Sequence, residues 1–178
     1  MSKLNGGVIY LRQFNISDID AVFSGVQDPV GMRLTGTHGT FTREQIEAYV
    51  QNNIEGKGRY AWIICLPDDT VIGEVVINEI DENNRNANIR IALFDPQFYG
   101  KGYGTTAMRL AVKYGFEQAN LHRIELGVFD FNPRAIRVYE KVGFKLEGTL
   151  RDVLLWEGDY HNQHIMSILE DEWQNEIE

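Results

Sequence analysis

The chain has 178 residues, 43% of them apolar, with 17 Lys and Arg against 26 Asp and Glu, a formal charge of −9. That size suits a single domain, residues 1–178, with a full hydrophobic core, and the acidic balance argues against a nucleic-acid partner, which needs basic surface to displace phosphate counterions, and favours a cationic one. Met1 to Gly7 carries no apolar leader and no run reaches the about 18 apolar residues of a membrane span, so a cytoplasmic protein without a membrane partner is expected.

In chain order, Val8 to Leu11 reads as a short strand, and Ser17 is placed to cap a helix whose Ile19, Val22, Phe23 and Val26 share one face. Gln27 to Gly39, holding Pro29 and Thr35-Gly36-Thr37, reads as a loop or broken helix of the kind that carries specificity. Thr42 with Gln45 forms a capping box for a helix with Ile46, Tyr49 and Val50 as its buried stripe. Ala61 to Leu66 and Val71 to Ile80, joined by Pro67-Asp68-Asp69-Thr70, form a hairpin. Its Cys65, the one cysteine of the chain, cannot make an internal disulfide and reads as a small buried hydrophobe. The polar turn Asp81 to Asn86 leads into Ala87 to Phe94, where Ile89, Ile91 and Leu93 alternate until Asp95-Pro96 stops the strand.

The segment that follows, Gln97-Phe98-Tyr99-Gly100-Lys101-Gly102-Tyr103-Gly104-Thr105, carries the most information. Glycines at every second position let the backbone turn tightly, so that successive N–H groups converge on an anion. The next helix buries Ala107, Leu110, Ala111 and Tyr114, and its first-turn amides would point at a bound pyrophosphate. A nucleotide-bearing cofactor is therefore expected. Lys101 is followed by Gly102 rather than Ser or Thr, which argues against a Walker loop. A dinucleotide fingerprint would read G-x-G-x-x-G with an acidic residue about 20 positions on, a place Glu125 fills although the glycine spacing differs.

Arg123 to Phe129 is another strand, with Ile124, Leu126 and Val128 on one face. Asn132 and Pro133 open a helix with Ala135, Val138, Tyr139 and Val142 on its apolar side, and Gly143 ends it. Lys145 to Leu155 and His161 to Leu169 read as strands joined around Glu157-Gly158-Asp159. The result is an α/β chain with a mixed sheet, and where neighbouring strands diverge, unpaired backbone groups are left to bind a ligand.

The order of elements, the glycine loop and the later Asn132-Pro133-Arg134-Ala135-Ile136-Arg137-Val138-Tyr139-Glu140-Lys141-Val142-Gly143-Phe144 resemble the GNAT superfamily of acetyl-CoA-dependent N-acetyltransferases, from about Val8 to Leu169. The likeness is to the branch with ribosomal-protein alanine and spermidine acetyltransferases. It implies a mostly antiparallel sheet, splayed open at the cofactor site and flanked by helices. It implies that acetyl-CoA, as co-substrate with no metal, is held by Gln97, Tyr99, Gly100, Lys101, Gly102, Tyr103, Gly104 and Thr105 around its pyrophosphate. The main chain of Ala92, Leu93 and Phe94 would hold the pantetheine arm and the acetyl carbonyl, where a fixed N–H stabilises developing negative charge. Asn132 and Tyr139 match positions near the sulfur, with Tyr139 as the acid that protonates the departing thiolate.

That role is chemically apt, since a phenol near pKa 10 can donate to a thiolate whose acid lies about 8.5 or above. The expected acceptor is a small primary amine such as a polyamine, or a protein N-terminus. Neutralising a Lys-like amine at pH 7 costs roughly 4 to 5 kcal/mol, an α-amine only about 1. Many relatives place a Glu where this chain has Asn88, so a direct carboxylate base is in doubt, and Glu79 or Asp81 could act only through water. Trp156, Asp159 and Tyr160 fall in the turn between the last two strands, where relatives often shape the acceptor groove, with plain turn packing as the alternative, while His38, His122, His161 and His164 show no metal-ligand spacing. A homodimer is the possible assembly. A non-catalytic acyl-CoA-binding module on the same fold is the alternative.

Overall fold

The computed structural model describes residues 3–173. Its strands are β1 (Leu4–Asn5), β2 (Tyr10–Arg12), β3 (Tyr60–Cys65), β4 (Val71–Asp81), β5 (Asn86–Leu93), β6 (Arg123–Phe129), β7 (Lys145–Trp156) and β8 (Asp159–Leu169). The helices are α1 (Ile19–Gly25), α2 (Pro29–Thr35), α3 (Arg43–Glu55), α4 (Tyr103–Glu117) and α5 (Pro133–Val142). The strands make one sheet in the order β1-β2-β3-β4-β5-β6-β8-β7. Neighbours are antiparallel except β5 and β6, which run parallel.

The apolar runs of β3 and β4 arise because both faces of the sheet are covered there. Trp62, Ile64, Val75 and Ile77 pack with Ala107, Met108 and Val112 of α4. Ala61, Ile63, Cys65 and Val76 alternate to the opposite face and pack with Val22 of α1 and with Ile46 and Val50 of α3. Each such side chain, withdrawn from water, contributes about 1.5 to 3 kcal/mol before the cost of ordering it. The buried face of α4 is wider than expected: Met108, Val112 and Phe116 join Ala107 and Ala111, while Leu110 and Tyr114 sit at the rim.

Three local expectations need correcting. Ser17 is not the cap. Asn15 Oδ1 accepts from the Ser17 amide at 3.0 Å, and Asp18 Oδ2 accepts from the Asn15 amide at 2.7 Å, a reciprocal box. Asp18 is buried and takes a two-pronged bond from Arg12 at 2.8 and 2.6 Å, so the entry to α1 is tied to β2. The stretch read as a loop or broken helix contains α2: Asp28 Oδ2 caps the Gly31 amide at 2.6 Å, Pro29 opens the first turn and Gly36, at φ 66°, ends it. Finally, β7 and β8 extend to Trp156 and Asp159, which pair directly, leaving a two-residue turn of Glu157 (φ 51°) and Gly158 (φ 95°).

What positions the site is the seam between β5 and β6. Their register holds only at Asn86 with Arg123, Ala87 with Ile124, and Asn88 with Glu125, after which the strands part.

Candidate active site

Beyond Asn88 the gap between β5 and β6 opens into a cleft of about 770 Å³. One wall is residues 88–93 of β5, and the other is Gly127, Val128 and Phe129 of β6 with Asn132, which caps α5, and Val138 and Tyr139 of α5. Gly31, Leu34 and Thr35 of α2, with Thr37, close one side, and the glycine loop and the start of α4 close the other.

The loop is shaped for an anion. Gly100 and Gly102 have φ 74° and 82°, backbone that favours glycine, and Gly102 is the residue before α4. The first bond of α4 runs from the Thr106 amide to the Gly102 carbonyl, so the amides of Tyr103, Gly104 and Thr105 have no acceptor within the helix. A Cβ added at Gly100, Gly102 or Gly104 would meet nothing within 4 Å. Packing does not demand glycine at these positions; at Gly100 and Gly102 the left-handed turn does, and the bare surface left suits a phosphate group. Arg134, Arg137 and Lys141 of α5 line the same mouth, a local positive field on a chain of net charge −9. The Arg134 guanidinium lies 3.9 Å from the centre of the Tyr99 ring, which holds it in place.

The residues singled out in the sequence fall into two sets. Ala92, Leu93, Tyr99, Gly100, Gly102, Tyr103, Gly104, Thr105, Asn132 and Tyr139 come together along the cleft. Phe94, Gln97 and Lys101 stand outside its lining. Phe94 packs against Gly25 and gives its amide to the Ile72 carbonyl at 2.9 Å, so that N–H is not available to a ligand. Gln97 folds back, its backbone and side-chain N–H groups donating to Asp95 at 2.8 and 2.9 Å, and Lys101 is exposed.

Tyr139 is 8% exposed, and burial pushes its phenol up to about 12. Its hydroxyl has no hydrogen-bond partner among the described residues. Such a group stays protonated at all ordinary pH, and donates readily only to a strong base such as a thiolate that is itself desolvated. Asn132 Oδ1 accepts from the Ala135 amide at 3.2 Å, which orients the side chain and turns its NH₂ to other use.

Glu79 and Asp81 lie at the far end of β4 and do not line the cleft. Asp81 is committed to the Asn84 backbone and side chain at 3.0 and 2.7 Å. Asn88 does line it. The carboxylate that faces the cleft is Glu74, in the middle of β4. It is 4% exposed, and burial raises its pKa against the opposing pull of Arg90 and Tyr49. Tyr49 donates to Glu74 Oε1 at 2.8 Å, and Arg90 Nη1 lies 3.5 Å from the same oxygen. This group was not anticipated, although a lone charge in the run Val71-Ile72-Gly73-Glu74-Val75-Val76-Ile77 is the signal that could have found it.

Trp156, Asp159 and Tyr160 sit at the tip of the β7–β8 hairpin and do not line the cleft. Trp156 instead stacks on His38, with ring centres 5.0 Å apart, tying the hairpin to the segment after α2. The other histidines are dispersed: His122 lies 3.4 Å from Glu170, His161 3.9 Å from Asp130, and His164 bonds Thr149 at 2.9 Å. No helix among the described residues is long and apolar enough to cross a membrane.

Comparison with known proteins places this geometry. Residues 9–145 match the acetyltransferase (GNAT) domain family. An uncharacterized N-acetyltransferase of Bacillus subtilis, YnaD, is 28% identical over 93% of this chain and 95% of its own length. The spermidine N(1)-acetyltransferase of Vibrio cholerae is 30% identical over 76% of this chain and 78% of its length. The crystal structure of spermidine N-acetyltransferase from Vibrio cholerae in complex with CoA and spermine superposes with a TM-score of 0.87 at 26% identity, covering 94% of this chain and 99% of that one.

Proposed function

Because the chain belongs to the GNAT acetyltransferase family, we propose that it moves the acetyl group of acetyl-CoA onto a primary amine, a polyamine or a protein N-terminal α-amine, by direct attack in a ternary complex. The observation that carries this reading is the parting of β5 from β6 after three residue pairs, beside the open first turn of α4 and the buried Tyr139.

The residues fit the co-substrate. Amides of Tyr103, Gly104 and Thr105 take the pyrophosphate, and Arg134, Arg137 and Lys141 supply countercharge at the mouth. The main chain of Ala92 and Leu93, unpaired on the β6 side, holds the pantetheine arm and presents N–H to the thioester oxygen. Asn132 steadies the arm near the sulfur, and Tyr139 gives its proton to the sulfur as it leaves. No covalent enzyme species is required.

The acceptor enters from the side of α2 and α3, opposite α4. The net charge of −9 and the polyamine-acetylating relative both support a cationic acceptor. The test is a screen of spermidine, N-terminal peptides and an aminoglycoside with acetyl-CoA, following free thiol and the mass of the product. An acetylated amine is the expected result. Acetyl-CoA binding with no transfer to any amine would mark a non-catalytic binding module instead.

A further inference from the structure

Glu74 is the one charged side chain on the inward run of β4 from Val71 to Ile77, and its two oxygens are used unequally. Tyr49 and Arg90 both address Oε1, whereas Oε2 is buried and has no hydrogen-bond partner. A buried carboxylate oxygen left without a donor is costly, so its persistence inside a binding cleft points to a donor that arrives with a ligand.

Position says which ligand. Glu74 pairs across the sheet with Ala92, and directly paired residues hold their Cβ atoms about 4.5 to 5.5 Å apart. It shares its face with Val76, which packs toward α3, so it looks onto the side of the sheet away from α4. The phosphate-binding turn and the Glu74 carboxylate thus meet the same stretch of β5 from opposite sides. Asn88, two register positions along β5 from Arg90, carries an amide and cannot take up a proton.

Resting on the primary-amine reading above, we propose that Glu74 receives the attacking amine: its unpartnered oxygen accepts a hydrogen bond from the acceptor's ammonium and takes the proton that must leave before nitrogen can attack. The freed lone pair then forms the N–C bond to the acetyl carbon. The C–S bond breaks, its electron pair goes to sulfur, and sulfur takes the Tyr139 proton. The second proton lost by nitrogen restores Tyr139 through solvent, and the Glu74 proton is released to water, so one proton is liberated per amide formed. Burial, which raises the Glu74 pKa, brings its basicity toward neutral pH, where a proton acceptor works best. The charged and titratable groups acting on it are Arg90 from β5 and Tyr49 from α3. Arg90 keeps the carboxylate ionised between turnovers, and Tyr49 fixes its rotamer.

The experiment measures kcat/KM against pH for wild type, Glu74→Gln and Glu74→Asp with spermidine and with an N-terminal peptide, alongside acetyl-CoA affinity by calorimetry. The expected result for Glu74→Gln is about a 10²-fold loss in kcat/KM for the amine, disappearance of the acidic limb of the profile, and an acetyl-CoA Kd within about twofold of wild type. Glu74→Asp should keep the acidic limb at a rate reduced about 10-fold, because the carboxylate is present but drawn back. A Glu74→Gln protein that binds acetyl-CoA and retains both the rate and the acidic limb would overturn the proposal while leaving the acetyl-transfer reading intact. Where Glu74→Gln does not fold, an unaltered kcat/KM in Glu74→Asp overturns it and a selective loss supports it. Wild type that acetylates neither amine defeats the primary-amine reading, and the Glu74 assignment with it.

Discussion

The two sides of the cleft are built from different materials. Toward α4 the groups offered to a ligand are main-chain amides of Tyr103, Gly104 and Thr105, exposed by two left-handed glycines within a few residues of one another. Toward α2 and α3 they are side chains, Tyr49, Glu74 and Arg90, drawn from three elements and joined by bonds of 2.8 and 2.6 Å. A backbone cradle reads only the shape and charge that every acyl-CoA shares, and it fails when its geometry fails. A side-chain cluster reads one acceptor, and each substitution in it alters what is read. On the proposed reading, the half of the reaction that holds the co-substrate rests on backbone geometry and the half that receives the acceptor rests on side chains.

The sharpest break of this contrast is Gly102→Val. At φ 82° a β-branched residue is strained, and its side chain occupies the open surface of the turn. Acetyl-CoA affinity should fall at least about 10³-fold, since the loop's anion contacts act as a unit; calorimetry that finds normal binding would show that the phosphates lie elsewhere. Tyr139→Phe leaves both halves in place and removes only the proton. Turnover should drop about 10²-fold at unchanged acetyl-CoA Kd. Equal loss of affinity would make Tyr139 a packing residue.

The same phenol bears on stability at high pH. Burial raises its pKa from 10.0 to about 12, so the folded chain keeps a proton that the unfolded chain releases. The stability linked to that proton is complete below pH 10 and lost as pH climbs through about 12. Tyr139→Phe should remove about 1.4 kcal/mol of alkaline loss between pH 8 and pH 11, read from denaturant unfolding at those two values. The smallest expected effect is that of Arg134→Ala, about a 10-fold weaker acetyl-CoA affinity with a shallower salt dependence, because the countercharge it would supply at the mouth is exposed to water. An unchanged salt slope would place Arg134 outside the phosphate field.

The same contrast explains what was legible. The glycine turn, the open end of α4 and the helix beginning at Asn132 are local devices, and local spacing encodes them. The divergence of β5 and β6 followed from the order of elements together with the family likeness. The acceptor side did not, because residues at 49, 74 and 90 meet only through sheet register and the docking of α3. The family likeness, with Asn88 in the place of the usual Glu, left Glu79 and Asp81 to act only through water; they lie at the far end of β4, where the register shifts between Asn78 and Asp81 and Glu79 has φ 52°, and neither lines the cleft. The start of the helical segment was misplaced for a related reason: Ser17 and Asn15 are both competent caps, and Asn15 caps a 3₁₀ turn, Ile16–Asp18, leading into α1 because Asp18, buried beside Arg12, completes the box, a tertiary event. The helix α2 was within reach, since Asp28-Pro29 before it and Gly36 after it are ordinary start and stop signals that a short element with no fully buried residue made easy to pass over.

The short seam between β5 and β6 carries one more implication. Past Asn88 each strand faces the other with rungs of an unfinished ladder, N–H and C=O groups that water must serve until, on the proposed reading, an amide-bearing arm lies between them. Such an arm behaves as a borrowed strand, completing on arrival what the chain leaves undone. The folded state and the loaded state therefore draw on the same bonds, and the temperature at which the protein melts should climb with the logarithm of acetyl-CoA concentration above its dissociation constant.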